Sequence, residues 1–285
     1  MHPSTPQHLD LTLENGCNLH AAQGGTGRDV VLIHGSVSLL EDMVLGLYDA
    51  LAGAFRVTAF DRPGHGRSKR PRYQGSIWSQ AAALDEGARR LELDRPVVVG
   101  HSFGGAVALA WALRRPEAIS GLVLIAPIAF PELRLEQLLF GPRAAPLTGD
   151  LLSRTAGPVL DTLAAPALAR AMFAPQEIPV RMREEFPIQL VLAPTSMQAE
   201  GEDALEALAG LSAAALLYPG CRVPAGILAG DRDLVVNPLM HGRNLARALP
   251  RGEFRQVRGM GHMLHHFAQA EIVEMVDTVR QKAAA

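Results

Sequence analysis

The chain has 285 residues, of which 48% are hydrophobic and 20% are charged. This composition supports a folded core and argues against disorder. The 27 basic and 29 acidic residues leave a formal net charge of -2, which gives neither a basic field for nucleic acid nor a polybasic patch for a membrane. We therefore expect a small-molecule substrate and no nucleic-acid or membrane partner.

The first part of the chain alternates strand-like and helix-like segments. An Asn-Gly pair separates the first two period-two segments, which predicts a hairpin. Continuous apolar runs follow, as in strands buried on both faces of a parallel sheet. The alternation predicts an α/β fold with right-handed crossovers. In chain order we predict strands at 9–13, 17–22 and 30–33, a helix at 41–52, a strand at 56–60, a helix at 76–91, a strand at 97–99, a helix at 104–115 and a strand at 122–126.

The pattern changes after residue 127. The next segment is rich in Leu, Ala, Met and Pro with helical spacing, and it contains no clear apolar β-run. We therefore predict a helical lid inserted after the sixth strand of an eight-stranded, predominantly parallel sheet that is flanked by helices. The remaining predicted elements are a strand at 223–229, a helix at 238–249, a strand at 253–257 and a helix at 269–281, and the predicted units are core 1–127, lid or cap 128–218 and core 219–285.

One motif dominates the chemistry. Gly100-His101-Ser102-Phe103-Gly104 follows a β-branched run and precedes a helical pattern, which is the context that gives Gly-x-Ser-x-Gly its meaning. The tight turn leaves room only for hydrogen at the two glycines. It would hold the Ser102 hydroxyl at the carboxyl end of a sheet, with the Phe103 N–H at a helix N-terminus.

Two further polar groups follow predicted strands later in the chain. A serine hydroxyl needs a base, and an imidazole base needs a carboxylate that fixes its tautomer. The order Ser102, Asp233, His262 supplies all three, and the strand-to-helix loops of a parallel sheet meet at one edge. Asp231 is the alternative acid.

The chain resembles the α/β-hydrolase fold family, in its serine-nucleophile branch. The resemblance rests on five motifs in order, each at a predicted strand end. It implies that Ser102 is the nucleophile, His262 the base and Asp233 the acid of a catalytic triad. It also implies an oxyanion hole formed by the N–H groups of Ser36 and Phe103, with Val37 as a further donor. The motifs are His34-Gly35-Ser36, the loop at 61–68, the Gly100–Gly105 elbow, Gly230-Asp231-Arg232-Asp233 and Gly261-His262.

The histidines and aromatic residues near these motifs have competing interpretations. We expect His34 to orient the oxyanion loop and His65 to pack within its own loop. The sequence leaves His101 open between shaping the acyl pocket and packing. His262, His265 and His266 have metal-like spacing, but no acidic residue is adjacent, so we predict no metal and no cofactor. Two of these histidines, His265 and His266, are interpreted as surface or lid-facing. The predicted pocket residues are His34, Val37, His101, Phe130 and Phe140.

The resemblance leaves several reactions open. Halide-releasing and epoxide-opening relatives use aspartate where this chain has Ser102, which argues against both chemistries. We predict a carboxylesterase that cleaves esters of small or medium substrates through an acyl-enzyme. Alternatives are a lactonase, a thioesterase, a perhydrolase side activity, and a non-enzymatic receptor or scaffold. A carbon–carbon hydrolase of vinylogous ketoacids is a further alternative, and it would need a cation from among Arg134, Arg143, Arg154, Arg181 and Arg183.

The cellular location is predicted to be cytoplasmic. Residues 1–10 lack the basic start and apolar stretch of a signal peptide, and no run approaches the roughly 18 apolar residues of a membrane span. Cys17 and Cys221 form no zinc or redox spacing, so we expect free thiols. The oligomeric state is open, a homo-oligomer included.

Overall fold

The computed structural model describes residues 5–284, and the side chain of residue 284 is not among its described features. Its centre is one eight-stranded sheet in the order β1-β2-β4-β3-β5-β6-β7-β8. The β1/β2 and β2/β4 pairs are antiparallel, and the other pairs are parallel. The strands are β1 Gln7–Thr12, β2 Asn18–Gly25, β3 Arg28–Ile33, β4 Phe55–Phe60, β5 Val97–His101, β6 Gly121–Ile125, β7 Ala225–Gly230 and β8 Gly252–Val257.

The central strands are buried because their side chains are apolar on both faces. Every residue of β5 and β6 is buried, as expected for parallel strands covered by helices on each side. Val30 pairs with Val97 and Ile33 with Gly100, which places the ends of β3 and β5 side by side. The predicted eight-stranded, mainly parallel sheet is therefore confirmed.

Helices cover both faces of the sheet, and an apolar cluster lies on each side. The helix predicted at 41–52 is interrupted by a π-helical turn, Val44–Tyr48. A Cβ at Gly46 would lie 2.7 Å from the His265 ring, so this turn packs closely against the loop after β8. The flanking helices are α1 Leu40–Met43, α2 Asp49–Leu51, α3 Ile77–Arg90, α4 Phe103–Arg114, α11 Asn244–Ala248 after a π-helical turn at Pro238–Arg243, and α12 Gln269–Ala284.

All regular elements that the described chain forms between β6 and β7 are helical. The last of these helices also belongs to the core, because Ala207, Leu211 and Ala214 join the cluster that contains Trp111. No helix formed by residues 5–284 is both long enough and apolar enough to cross a membrane. The helices of this segment are α5 Leu135–Leu139, α6 Thr148–Arg154, α7 Ala156–Phe173, α8 Val180–Glu185, α9 Ile188–Val191 and α10 Pro194–Leu217.

Candidate active site

Ser102 occupies a strained turn between β5 and α4. Its backbone has φ 52° and ψ −117°, a conformation that L-residues rarely adopt. A Cβ at Gly100 would lie 2.5 Å from the Gly104 carbonyl oxygen, and a Cβ at Gly104 would lie 2.4 Å from the His34 carbonyl oxygen. Both glycines are therefore required by close backbone approach, as the motif predicts.

His262 and Asp233 form a buried hydrogen-bonded pair. His262 Nδ1 lies 2.8 Å from Asp233 Oδ2, and both side chains are almost inaccessible. The other carboxylate oxygen accepts the N–H groups of Val235 at 2.7 Å and Val236 at 2.9 Å. The carboxylate is thus fixed from one side and directed at the imidazole from the other.

Asp231 is placed differently. It is exposed at the end of β7, and its Oδ1 accepts the N–H of Gly259 at 2.6 Å. This bond joins the loops after β7 and β8 without involving His262. Of the two candidate acids, only Asp233 contacts the histidine.

Ser36, Ser102, Asp233 and His262 line one cavity of about 630 Å³. This volume is typical of a small-molecule site. Among the residues described, no hydrogen bond joins Ser102 to His262; in substrate-free enzymes such bonds are often long and tighten only in the complex. The arrangement brings together a strained serine, an imidazole and a carboxylate at the carboxyl edge of the sheet.

The three predicted oxyanion donors lie in different surroundings. Phe103 is the first residue of α4, where helical N–H groups lack intrahelical partners. Ser36 lines the cavity at the end of the β3 loop. Val37 N–H instead donates to Glu200 Oε2 at 3.1 Å. The expectation of Val37 as a further oxyanion donor is therefore wrong, although its side chain lines the cavity.

The five predicted pocket residues separate into two groups. Val37 and Phe140 line the cavity. The other three are not among its described lining residues. His34 is fully buried and its Nε2 accepts the Arg62 N–H at 2.9 Å, which ties the β3 and β4 loops together. His101 is buried beneath His262, and Phe130 packs edge-on against Tyr218. These three are corrected to packing or positioning residues.

The side chains of His265 and His266 are buried, so the surface interpretation of these two histidines is wrong. His266 does pack against Phe173 of α7, with ring centroids 5.3 Å apart. His266 Nε2 lies 2.7 Å from Asp42 Oδ1, and His265 Nε2 lies 3.1 Å from the same oxygen. Asp42 is fully buried and its other oxygen accepts the Ser38 hydroxyl at 3.0 Å. The acidic partner that is missing from the neighbouring sequence therefore comes from α1, more than 200 residues away.

This cluster contains a set of potential metal ligands. Asp42, His101 and His265 place ligand atoms within 4.8 Å of one another. However, the His101 and His265 rings pack at 4.4 Å between centroids, and Asp42 already accepts from Ser38 and His266. Burial also lowers the pKa of His101 and His265. We interpret the cluster as imidazoles packed around one carboxylate behind His262, with His101 and His265 neutral.

A second buried network joins α10 to the loop after β4. Asp203 lies 2.5 Å from Arg62 Nη1 and 2.7 Å from Arg70 Nη1, and these cations hold its pKa well below the ordinary value against the opposing effect of burial. His65 Nε2 lies 2.9 Å from the same carboxylate. Burial lowers the pKa of His65 to about 4, so this ring stays neutral near pH 7.

Glu200 is the weakly paired acid of this network. Its Oε2 lies 3.8 Å from Arg62 and 3.6 Å from His65. Asp203 lies closer than Glu200 to both of these side chains. Burial therefore raises the pKa of Glu200 to about 7. Since Glu200 accepts the Val37 N–H, this carboxyl contacts the loop that carries Ser36. No sequence spacing indicates that role.

A model of the alpha/beta hydrolase fold matches residues 30–269, and the chain therefore belongs to that family. An uncharacterized protein of Mycobacterium bovis is 25% identical over 283 residues, covering 95% of this chain and 81% of the relative. Two solved structures share the fold. The thermophilic esterase from Thermogutta terrifontis has a TM-score of 0.70 at 22% identity, covering 98% of this chain and 100% of that chain. The enol-lactonase from Burkholderia xenovorans has a TM-score of 0.72 at 24% identity, covering 94% and 98%.

Proposed function

We propose that this protein is a serine hydrolase that cleaves carboxylic esters through an acyl-enzyme on Ser102. The observation that carries the proposal is the buried His262–Asp233 pair at 2.8 Å, which lines the same cavity as the strained Ser102. An esterase and an enol-lactonase are among the proteins that share this fold. A cytoplasmic location stays a prediction.

The reaction uses each group in a defined role. Ser102 Oγ attacks the ester carbonyl while His262 Nε2 takes the hydroxyl proton, and Asp233 stabilises the resulting imidazolium. The N–H groups of Phe103 and Ser36 hold the tetrahedral oxyanion. Collapse breaks the C–O bond, and His262 gives its proton to the departing alcohol. Water then attacks the acyl-enzyme with His262 as base, which releases the carboxylic acid and restores Ser102.

The carbon–carbon hydrolase alternative fits the charges of the site less well. A ketoacid carboxylate would need an unpaired cation, and Arg134 is the arginine that lines the cavity with Ser102. Its guanidinium is already paired with Glu132 at 3.2 Å and Glu136 at 2.9 Å. The charged residues that line this cavity are therefore acidic on balance. Lactones and thioesters would use the same groups as esters. An ester requires the fewest special groups in the site.

Hydrolysis of p-nitrophenyl esters tests the proposal. We expect turnover by the wild type and a loss on the order of 10⁴-fold or more in Ser102→Ala. Ser212→Ala, an equal substitution at an exposed position on α10, should retain full activity. A fluorophosphonate probe should label Ser102 stoichiometrically. If no ester is cleaved and the probe leaves Ser102 unlabelled, the receptor or scaffold alternative replaces the enzyme.

A further inference from the structure

A second cavity of about 560 Å³ lies next to the first. It occupies the space between α7, α8 and α9 and the start of α10, and its inner wall includes Met263. Five apolar residues line both cavities and so form the partition between them. These are Val37, Leu139, Phe140, Leu168 and Met172. We call the second cavity the inner chamber.

The inner chamber begins beside the reacting groups. Val37 follows Ser36 directly in the chain, and Met263 follows His262. Both residues contribute to the chamber wall. Ser36, Ser102 and His262 line the first cavity and not the chamber, so an acyl arm on Ser102 would pass the five partition residues to enter it.

The wall of the chamber is mainly apolar. Among the residues described, all but four of those lining it are apolar. Arg143 and Asp161 are two of the four, and they neutralise each other through paired bonds of 2.7 and 2.6 Å. Arg183 is exposed on the outer side, and Ser38 donates to Asp42. A ligand that enters this space gains mainly from burying apolar surface. Within the part of the chain that the structure describes, Arg143 Nε is the one buried polar atom of the wall without a hydrogen-bond partner.

The side chains also allow the chamber to adapt its length. Met172, Met182, Met197 and Met263 all contribute to its wall. Methionine is unbranched and flexible, so it fills or vacates irregular space at low cost. On α7 the residues facing the chamber include Ala165 and Ala169, whose small side chains leave the volume open.

We propose that the inner chamber binds an uncharged, extended apolar arm on the acyl side of the ester. This inference rests on the proposed function, and it replaces the expectation of small acyl groups. The departing alcohol then occupies the first cavity, whose lining includes Glu132, Arg134 and Asn237. Each methylene that moves from water into the chamber should raise kcat/KM by up to about fourfold.

A matched pair of substitutions on α7 tests the chamber. Ala169 lines it, whereas Ala167 lies two residues away on the exposed face and lines neither cavity among the residues described. We expect wild-type kcat/KM to rise from p-nitrophenyl acetate to the octanoate. Ala169→Phe should keep its acetate activity within about twofold and lose about tenfold or more on the octanoate. Ala167→Phe should match the wild type on both esters. Equal chain-length profiles for the two variants would overturn the inference.

A binding measurement separates this inference from the proposed function. Octanamide, an uncharged acyl analogue, is added to Ser102→Ala protein labelled at the methionine methyl groups with carbon-13. We expect shifts of the Met172, Met182, Met197 and Met263 resonances, and their loss when Ala169→Phe is added. If these shifts appear but no ester is cleaved, the chamber stands and the proposed reaction fails. If esters are cleaved but the methyl groups do not respond, the chamber assignment fails alone.

Discussion

At the residue scale, the two aspartates after β7 offer a direct test of the proposed triad. Asp233→Asn should reduce kcat on the order of 10³–10⁴-fold, because the amide would favour the wrong imidazole tautomer. Asp231→Asn is the matched control, since Asp231 contacts Gly259 and not His262. Steady-state ester hydrolysis and circular dichroism would measure activity and folding. Greater damage from Asp231→Asn would transfer the acid role to that residue.

Glu200 should make the stability of the protein depend on pH. Burial raises its pKa from 4.5 to about 7 in the folded protein. The folded state therefore keeps this proton to a higher pH than the unfolded chain does. The associated stabilisation is complete below about pH 4.5 and is lost as the pH rises toward 7. Glu200→Gln should remove this loss, so the variant gains stability relative to the wild type as the pH increases.

Urea unfolding between pH 5 and pH 8 would measure the Glu200 effect. The difference in unfolding free energy between Glu200→Gln and the wild type should change by on the order of 3 kcal/mol at most. Glu184→Gln, at an exposed position on α8, supplies the control. A difference that stays constant with pH would show that Glu200 is ionised throughout this range.

The sequence predicts a residue of the candidate site only where a reactive side chain directly follows a predicted strand in a local motif. Ser102, Asp233 and His262 each follow a predicted strand in a recognisable motif, and the structure brings them to one cavity. Asp42 and Glu200 carry no such signal, because their partners lie on distant elements. The Val37 N–H is taken by Glu200, a contact between a β3 loop and α10 that no local pattern encodes.

At the scale of elements, the strands of the sheet can be predicted from the sequence, whereas the packing of the helices cannot. Buried parallel strands leave continuous apolar runs, so the predicted strands match the observed ones to within a few residues. The π-helical turn at Val44–Tyr48 depends on close packing against His265, which is a tertiary contact. Likewise, α10 is rich in alanine on several faces, so its periodicity does not reveal which face joins the core.

Asp203 is one of the residues that attach α10 to the core, beside the apolar contacts of this helix. Asp203→Asn would leave Arg62 and Arg70 buried without their closest anion. Breaking one partner of a buried pair in this way typically costs about 3–5 kcal/mol. We expect a matching loss of unfolding free energy in urea.

Asp150→Asn is the control for this loss. Asp150 is 42% exposed and pairs with Arg72, and solvent screening leaves such surface pairs with little effect on stability. The same chemical change should therefore have a small effect at position 150. Equal losses in the two variants would mean that the buried network adds nothing beyond an ordinary ion pair.

At the scale of the whole molecule, burial divides the protein into parts of unequal stability. Every residue of β5 and β6 is buried. In contrast, α5 has no buried residue, and α7 buries only three of its 18 residues. Local opening costs little where few apolar contacts are lost. The segment over the two cavities should therefore open far more often than the sheet.

Native-state hydrogen exchange would measure this difference. Amides of α5 and α7 should exchange through local opening at free energies well below the global value, while those of β5 and β6 should exchange only on global unfolding. Octanamide in the inner chamber should slow exchange in α7, because ligand contacts at Leu168 and Met172 are lost when the helix opens. The amides of β5 and β6 should slow by no more than the ligand's contribution to the global unfolding free energy, since global unfolding also releases the ligand. Uniform protection of α7 and the sheet would mean that the helical segment and the core unfold as one unit, and that substrate reaches Ser102 without local opening of α7.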